Sequence, residues 1–508
     1  MYTRQNVWEL GGPWADPILW YARGVAAMQA RALALPTAWR FYAAIHGLDQ
    51  GLWQQLGYLS PGEQMPSQPL QTQFWLQCQH GSWFFLPWHR GYLLAFEANI
   101  RAVVVQLGGP ADWALPYWNY FKPNENPLPP AFGSPDWPDG KGNNPLYIPQ
   151  RYGPNNDGNV YVDLSQVNLN AMNDPDFSGI PNGDRGFGGI DTGFEHGGQY
   201  HGQLEMQPHD QVHGLVGGQD PSPGLPGLMS DPDTAGIDPI FYLHHANIDR
   251  LWQIWTQNPP TNADPTDPKW LNGPASIGQR AFSMPMPDGT SWNYTPTQMV
   301  NMSALGYTYD DLSAAVPTPQ PAQRLLALGA AAAAVNVRPG ATTVPTPTNV
   351  ELVGASQAPL TIQGSQVSTS VKLDPNVRRK VSASLAAAAE TAAPDRVFLN
   401  LENIRGTKDA TRFKVYVSLP QGANAAHYPE LLAGDVSLFG VRKASLKDGE
   451  HAGQGLTHVL EISDIVDKLH LRNQLDADSL DVRIVPDKPL PAGEQISVGR
   501  VSIFRQGA

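Results

Sequence analysis

Apolar residues recur at helical spacing over Ile18 to Leu35 and again over Trp88 to Val105, and each stretch predicts an amphipathic helix. Between such helices lie long Gly/Pro-rich runs, notably Pro123 to Pro154 and Gly214 to Pro232. They exceed the usual connections of compact domains and predict loops that build or cover a site. Over the last ~110 residues the period changes to two. Arg412-Phe413-Lys414-Val415-Tyr416-Val417 and Leu480-Asp481-Val482-Arg483-Ile484-Val485 alternate, with turn signals between such segments, and predict a β-sandwich. Separating the two patterns is a stretch poor in aromatic residues, from Val316-Pro317-Thr318-Pro319-Gln320-Pro321 through Ala330 to Ala334 to Val344-Pro345-Thr346-Pro347. Proline and small residues of this kind predict a linker or an extended crossing segment. A further Ala-rich piece, Leu385 to Ala393, reads as a short helix or more linker.

Composition sharpens this division. All 15 tryptophans lie between Trp8 and Trp292 and nine of the 13 histidines between His46 and His245, whereas eight of the 11 lysines fall at or after Lys372. The net charge of −13 repels phosphate backbones and argues against a nucleic-acid partner. With 41% hydrophobic and 16% charged residues, the 508-residue chain has the apolar material for large cores and is not a disordered polyelectrolyte. Its 49 glycines and 48 prolines show no Gly-X-Y period, which assigns them to loops and excludes collagen. The single cysteine, Cys78, excludes an intrachain disulfide and fits a reducing compartment. Met1-Tyr2-Thr3-Arg4-Gln5-Asn6 lacks the basic start and apolar stretch of a secretory signal, and no run approaches the ~20 apolar residues of a membrane helix. A cytoplasmic location without a membrane partner is therefore expected.

The histidines carry the candidate chemistry. His209 and His213 form a His-x-x-x-His pair, which on a helix places both rings on one face, where two imidazoles can hold one metal ion. No Glu follows the first His, so the zinc-protease form is absent. His80 and His89 are nine residues apart, and Pro87 predicts that the helix bearing His89 begins there, leaving His80 to the preceding loop. Cys78, two residues before His80, reads by itself as a small buried residue. In Asp238-Pro239-Ile240-Phe241-Tyr242-Leu243-His244-His245-Ala246-Asn247-Ile248-Asp249, His245 and Asp249 stand one turn apart, so the carboxylate is a candidate to steady the imidazole. His244 points about 100° away from its neighbour and is not expected on the same ion.

His80-x4-Phe85-Leu86-Pro87-Trp88-His89-Arg90-x6-Glu97 and Asp238-Pro239-x-Phe241-Tyr242-x-x-His245-x3-Asp249 resemble the two copper-site signatures of the tyrosinase, catechol oxidase and mollusc haemocyanin superfamily. The resemblance covers residues 1 to about 312. It implies a mainly α catalytic domain, a four-helix bundle with long loops around a dinuclear type 3 copper site. One copper would take His46, His80 and His89, and the other His209, His213 and His245. His46 enters through Phe41-Tyr42-Ala43-Ala44-Ile45-His46-Gly47, which resembles the helix of the family's first ligand, and its 34-residue separation from His80 implies an insertion. Cys78-x-His80 resembles the Cys-x-His of fungal tyrosinases and molluscan haemocyanins, which implies a thioether between the Cys78 sulfur and the His80 imidazole.

What the resemblance implies for activity is the O2-dependent ortho-hydroxylation of monophenols and the oxidation of o-diphenols to o-quinones, on small phenols such as tyrosine or L-DOPA. Free phenols have a pKa near ~10, so a base is useful. Glu205 resembles the plant-enzyme Glu that holds a water near the coppers, and Asp210 stands where an Asn helps to polarise that water. The gate position, 13 residues before the last ligand, falls on Pro232. Leu305-Gly306-Tyr307-Thr308-Tyr309-Asp310 resembles the Tyr-x-Tyr element that closes the catalytic domain, and the C-terminal strands resemble the domain of latent plant polyphenol oxidases. That likeness implies domains at 1–312 (catalytic), 313–394 (linker or crossing segment) and 395–508 (β-sandwich shielding the active site), with Tyr428 in the loop Gln421 to Glu430 as the candidate placeholder. The reading is a latent tyrosinase, with a homo-oligomer left open. The alternatives are a catechol or o-aminophenol oxidase without monophenolase activity and a haemocyanin-like oxygen carrier.

Overall fold

The computed structural model describes residues 1–138, 142–222, 224–257, 262–314, 349–388, 395–449, 452–472, 474–476, 478–491 and 493–507. The Pro/Ala-rich stretch from Val316 to Pro347 and the end of the second Ala-rich piece lie outside them. Contacts divide the chain into two units. Unit 1 comprises Met1–Asn168, Thr192–Gly197 and Pro208–Ala314; unit 2 comprises Leu169–Asp191, Gly198–Gln207 and the described residues from 349 onward. The expected division differs at two places: Leu169–Asp191 and Gly198–Gln207, expected within 1–312, cluster with unit 2, and residues 349–373, expected in a 313–394 linker, supply three strands of its sheet. Leu169–Asp191 and Gly198–Gln207 belong with the C-terminal strands, because Asp184 pairs with Arg396, the Asp184 N–H donates to Gln506 Oε1 (2.9 Å), and the Thr457 N–H donates to the Gln199 carbonyl (3.0 Å).

Unit 1 is helical. Its principal helices are α1 (Asp16–Gln29), α2 (Trp39–His46), α3 (Phe85–Gln106), α4 (Gln211–Gly217) and α5 (Pro239–Gln257). α3 starts two residues before the predicted Pro87, since proline is tolerated in a first turn, where its missing N–H has no intrahelical partner to lose. α5 opens on Pro239, and the Asp238 carboxylate accepts from the Ile240 N–H (3.0 Å) as a helix start requires. α1 packs on α3, and α3 on α5, where Phe96 and Tyr242 stack at 3.5 Å between centroids and Trp39 of α2 meets both rings edge-on. The insertion implied between His46 and His80 holds two short helices, Gln50–Gln55 and Gln68–Phe74.

The two ends of unit 1 close on each other. β1 (Tyr2–Arg4) pairs in parallel with β2 (Tyr307–Tyr309), the Tyr-x-Tyr element. Arg4, fully buried, reaches Glu97 (2.7 Å) on α3 and Asp249 (3.2 Å) on α5. Asp249 also accepts from Arg90 and from the Tyr307 and Tyr309 hydroxyls (2.7 and 2.6 Å). Burial alone would raise the Asp249 carboxyl; Arg90 and Arg4 hold it below its usual value. The expectation that Asp249 steadies His245 is therefore corrected: two guanidinium groups and two phenols take its oxygens.

Unit 2 is built on a nine-stranded sheet, with strands β3 (Asn349–Ser356), β4 (Leu360–Ile362), β5 (Val367–Leu373), β6 (Arg396–Arg405), β7 (Arg412–Val417), β8 (Leu432–Ser437), β9 (Leu456–Glu461), β10 (Ser479–Pro486) and β11 (Ile496–Gly507). The order is β8-β7-β10-β5-β3-β11-β6-β9, antiparallel throughout, with β4 also on β11. β10 alternates buried and less buried residues as its sequence predicted, and its Ile484 faces Val415 of β7. The sandwich-like core is aliphatic, with Leu399, Val415, Val482 and Val501 at its centre. No helix among the described residues is long and apolar enough to cross a membrane.

Candidate metal centre

Six imidazoles reach the middle of unit 1 from five places in the chain. His46 is the last residue of α2, and its Nδ1–H donates to the Pro232 carbonyl (2.8 Å). The next residue must be glycine: a Cβ on Gly47 would lie 2.5 Å from that same carbonyl oxygen. His80 comes from the loop before α3, as its spacing required. This loop runs beside the end of α2, with Leu76 and Gln77 N–H groups donating to Ala44 and Ile45 carbonyls (3.1 and 2.9 Å). The Gln77 side chain exchanges two further hydrogen bonds with the Ser283 backbone (2.8 and 3.0 Å). His89 lies in the first turns of α3 and donates from Nδ1 to the Phe85 carbonyl (2.8 Å). His209 follows Pro208 after a break at Gln207, and His213 lies one turn on in α4, with ring centroids 4.5 Å apart; His213 Nδ1 donates to the Met229 carbonyl (2.7 Å). His245 projects from α5.

A carbonyl oxygen only accepts, so these contacts put the proton on Nδ1 and turn the Nε2 lone pair inward. His209 Nε2 lies 3.3 Å and His213 Nε2 3.4 Å from His245 Nε2. Nitrogens bound at about 2.0–2.1 Å to one tetrahedral ion are held about 3.3–3.4 Å apart, the spacing of these atoms. Ligating atoms of His46, His89 and His245 fall within 4.8 Å of one another, as do those of His46, Cys78 and His80. The His89 and His245 rings stack at 4.4 Å. All six side chains are buried. Burial first, and then neighbouring imidazoles, lower His89, His209, His213 and His245 well below the usual histidine range, so these rings stay neutral and able to bind metal. Phe85 packs on His89 and His209 (4.6 and 4.8 Å), and Phe241 on His245 and His46 (4.2 and 4.8 Å), which fixes the ring planes. An all-imidazole donor set of this kind fits copper.

Other residues singled out in the sequence are also among those described. His244, set aside there, belongs to the same group: a ring nitrogen lies within 4.8 Å of ligating atoms of His209, His213 and His245, and its Nδ1 is 3.4 Å from the Tyr120 hydroxyl. The 100° helical step separates the Cα–Cβ directions of neighbours but not the ends of two long rings inside one cage. Asp210 Oδ1 accepts from His209 Nδ1 (2.9 Å), so this carboxylate orients an imidazole, a task not anticipated for it. Glu205 is buried in unit 2, with Oε1 3.7 Å from His201 Nδ1 and Oε2 accepting from the Gly202 N–H (3.4 Å). His196 is likewise buried, 3.3 Å from Cys78 Sγ. Pro232 is buried and acts on His46 through its carbonyl. Tyr428 sits between two short 3-10 turns of unit 2 and is half-exposed.

Comparison with known proteins agrees with this geometry. The profile described as the common central domain of tyrosinase matches residues 36–258, and one described as a domain of unknown function matches 349–506. A tyrosinase of Hahella sp. (strain CCB-MM4) is 32% identical over 530 aligned positions, covering 100% of both chains. The chloroplastic polyphenol oxidase of Malus domestica is 27% identical over 87% of this chain and 70% of its own length. The fold matches that of latent apple tyrosinase with a TM-score of 0.60 at 23% identity, over 99% of this chain and 97% of that one. Fold and histidine cage together define a copper oxidoreductase acting on phenols. Within that class, the chain belongs to the tyrosinase family.

Proposed function

We propose that this protein is a latent tyrosinase, in which one copper is held by His46, His80 and His89 and the other by His209, His213 and His245. The observation that carries the reading is the group of six buried imidazoles, four of them oriented through Nδ1 by the Pro232, Phe85 and Met229 carbonyls and the Asp210 carboxylate. Copper bound there would supply the electron transfer between phenol and dioxygen that uncharged side chains lack. The substrates are monophenols such as tyrosine, hydroxylated at the ortho position, and o-diphenols such as L-DOPA, oxidised to o-quinones. Glu205, four residues before His209, is the proposed acceptor of the phenol proton, directly or through a water. Cys78 and His80 are proposed to be joined by a thioether.

The C-terminal domain is proposed to restrain the enzyme. Support comes from the likeness over 99% of the chain to a solved latent tyrosinase and from a polyphenol oxidase latent form of Prunus armeniaca, 34% identical over 200 residues, or 38% of this chain. Oxygen uptake by the copper-loaded full-length protein tests the reading, with tyrosine and with L-DOPA, before and after proteolytic cleavage within residues 315–348. Uptake with both substrates is expected, rising about tenfold or more once the chain is cut. No uptake with either contradicts the oxidase reading, and an unchanged rate after cleavage contradicts the restraint. Glu205→Gln is expected to depress tyrosine hydroxylation by about 10²-fold or more and L-DOPA oxidation far less; an equal loss of both overturns the proton-acceptor role.

A further inference from the structure

We propose that His196 is a positioning residue for the covalent joining of Cys78 to His80, its Nδ1–H holding the Cys78 sulfur against the His80 ring. The proposal rests on the copper and thioether reading above and adds to it a residue that matches no ligand position of the family.

The segment Thr192–Gly197 belongs to unit 1 and is tied to the loop that carries His80 at three successive points. Thr192 Oγ1 donates to Ser82 Oγ (2.9 Å), the Glu195 N–H donates to Gln79 Oε1 (2.9 Å), and His196 Nδ1 lies 3.1 Å from the Cys78 carbonyl oxygen. Because that oxygen only accepts, Nδ1 of His196 carries the proton. The same nitrogen lies 3.3 Å from Cys78 Sγ, so the carbonyl and the sulfur share its hydrogen. The sulfur also lies 3.4 Å from His80 Nδ1, the atom bonded to Cε1, a ring carbon with a C–H to exchange for the sulfur. Two imidazole nitrogens are thus within 3.4 Å of the sulfur, and Cys78, His80 and His196 are all buried. A cysteine side chain has three staggered χ1 wells, and only one aims the sulfur at the His80 ring. A donor that favours this well raises the fraction of molecules ready to react.

The step balances with the oxidant of the proposed reaction. A bond forms between Sγ and a His80 ring carbon, while the S–H and C–H bonds break. Two protons and two electrons leave and pass to dioxygen, which is reduced to hydrogen peroxide. His196 is not consumed.

Mass spectrometry provides the test. Full-length protein is loaded with copper without air, exposed to oxygen and sampled over time for the loss of two hydrogens and for a linked Cys78–His80 peptide. Wild type is expected to crosslink fully, His196→Ala to crosslink about tenfold more slowly or worse while binding copper normally, and His196→Asn, which keeps a side-chain N–H, to recover most of the rate. Wild type that binds copper and never crosslinks overturns the thioether reading. Wild type that crosslinks, with His196→Ala equally fast, overturns the role of His196 and leaves the thioether standing. Should His196→Ala fail to fold, His196→Asn against His196→Phe decides, and equal rates in that pair overturn the proposal.

Discussion

At the deepest point of unit 1 lie imidazoles walled by Phe85, Phe241 and Trp88; at the same depth in unit 2 lie Leu399, Val415, Val482 and Val501. The aliphatic core is stabilised by removing apolar surface from water, whatever is bound elsewhere. The imidazole core pays a desolvation penalty, visible in the lowered basicity of four of its rings, and it brings ring nitrogens to 3.3 and 3.4 Å of one another. With copper in the histidine cage, the stability of unit 1 should depend on metal and that of unit 2 should not.

The largest expected effect follows from removing copper. Anaerobic chelation should lower the thermal transition of unit 1 by about 10 °C or more and leave that of unit 2 in place, as calorimetry of full-length protein would show. Equal shifts in both transitions would break the comparison. Next in size is Leu399→Ala in the centre of the sheet, expected to cost about 2–5 kcal/mol in urea unfolding of unit 2 without changing copper content. Loss of copper in that variant would show that the two cores are not independent.

The smallest effect, taken per pH unit, is a slope in unit 2. Burial, followed by the nearby charges of His201 and Arg185, lowers His458 from 6.5 to about 3. Above pH 6.5 neither folded nor unfolded chain protonates this ring. Below it the unfolded chain takes up a proton that the folded unit refuses, so stability falls between pH 6.5 and about 3, by about 1.4 kcal/mol per pH unit. His458→Gln should remove that slope, and an unchanged slope would assign it to other groups.

Much of the histidine cage was legible because its members sit in local patterns: a pair four residues apart, a proline-started helix, a loop histidine nine residues upstream. What escaped is held by contacts between distant parts of the chain. Asp249 has its partner Arg4 245 residues away, so no helical spacing could show that its carboxylate was taken. The contact of His196 with Cys78 spans 118 residues. Asp184 and Gln506, 322 residues apart, assign an aperiodic segment to unit 2 that a boundary drawn on composition leaves in unit 1. His244 is a different case. Its ring reaches the same group as that of its neighbour, although the helical step separates their Cα–Cβ directions.

The most direct measurement is anomalous scattering at the copper edge from crystals of copper-loaded protein. The account predicts two copper peaks per chain, one within bonding distance of Nε2 of His46, His80 and His89 and the other of Nε2 of His209, His213 and His245. A single peak bound by His209, His213, His244 and His245 would contradict it.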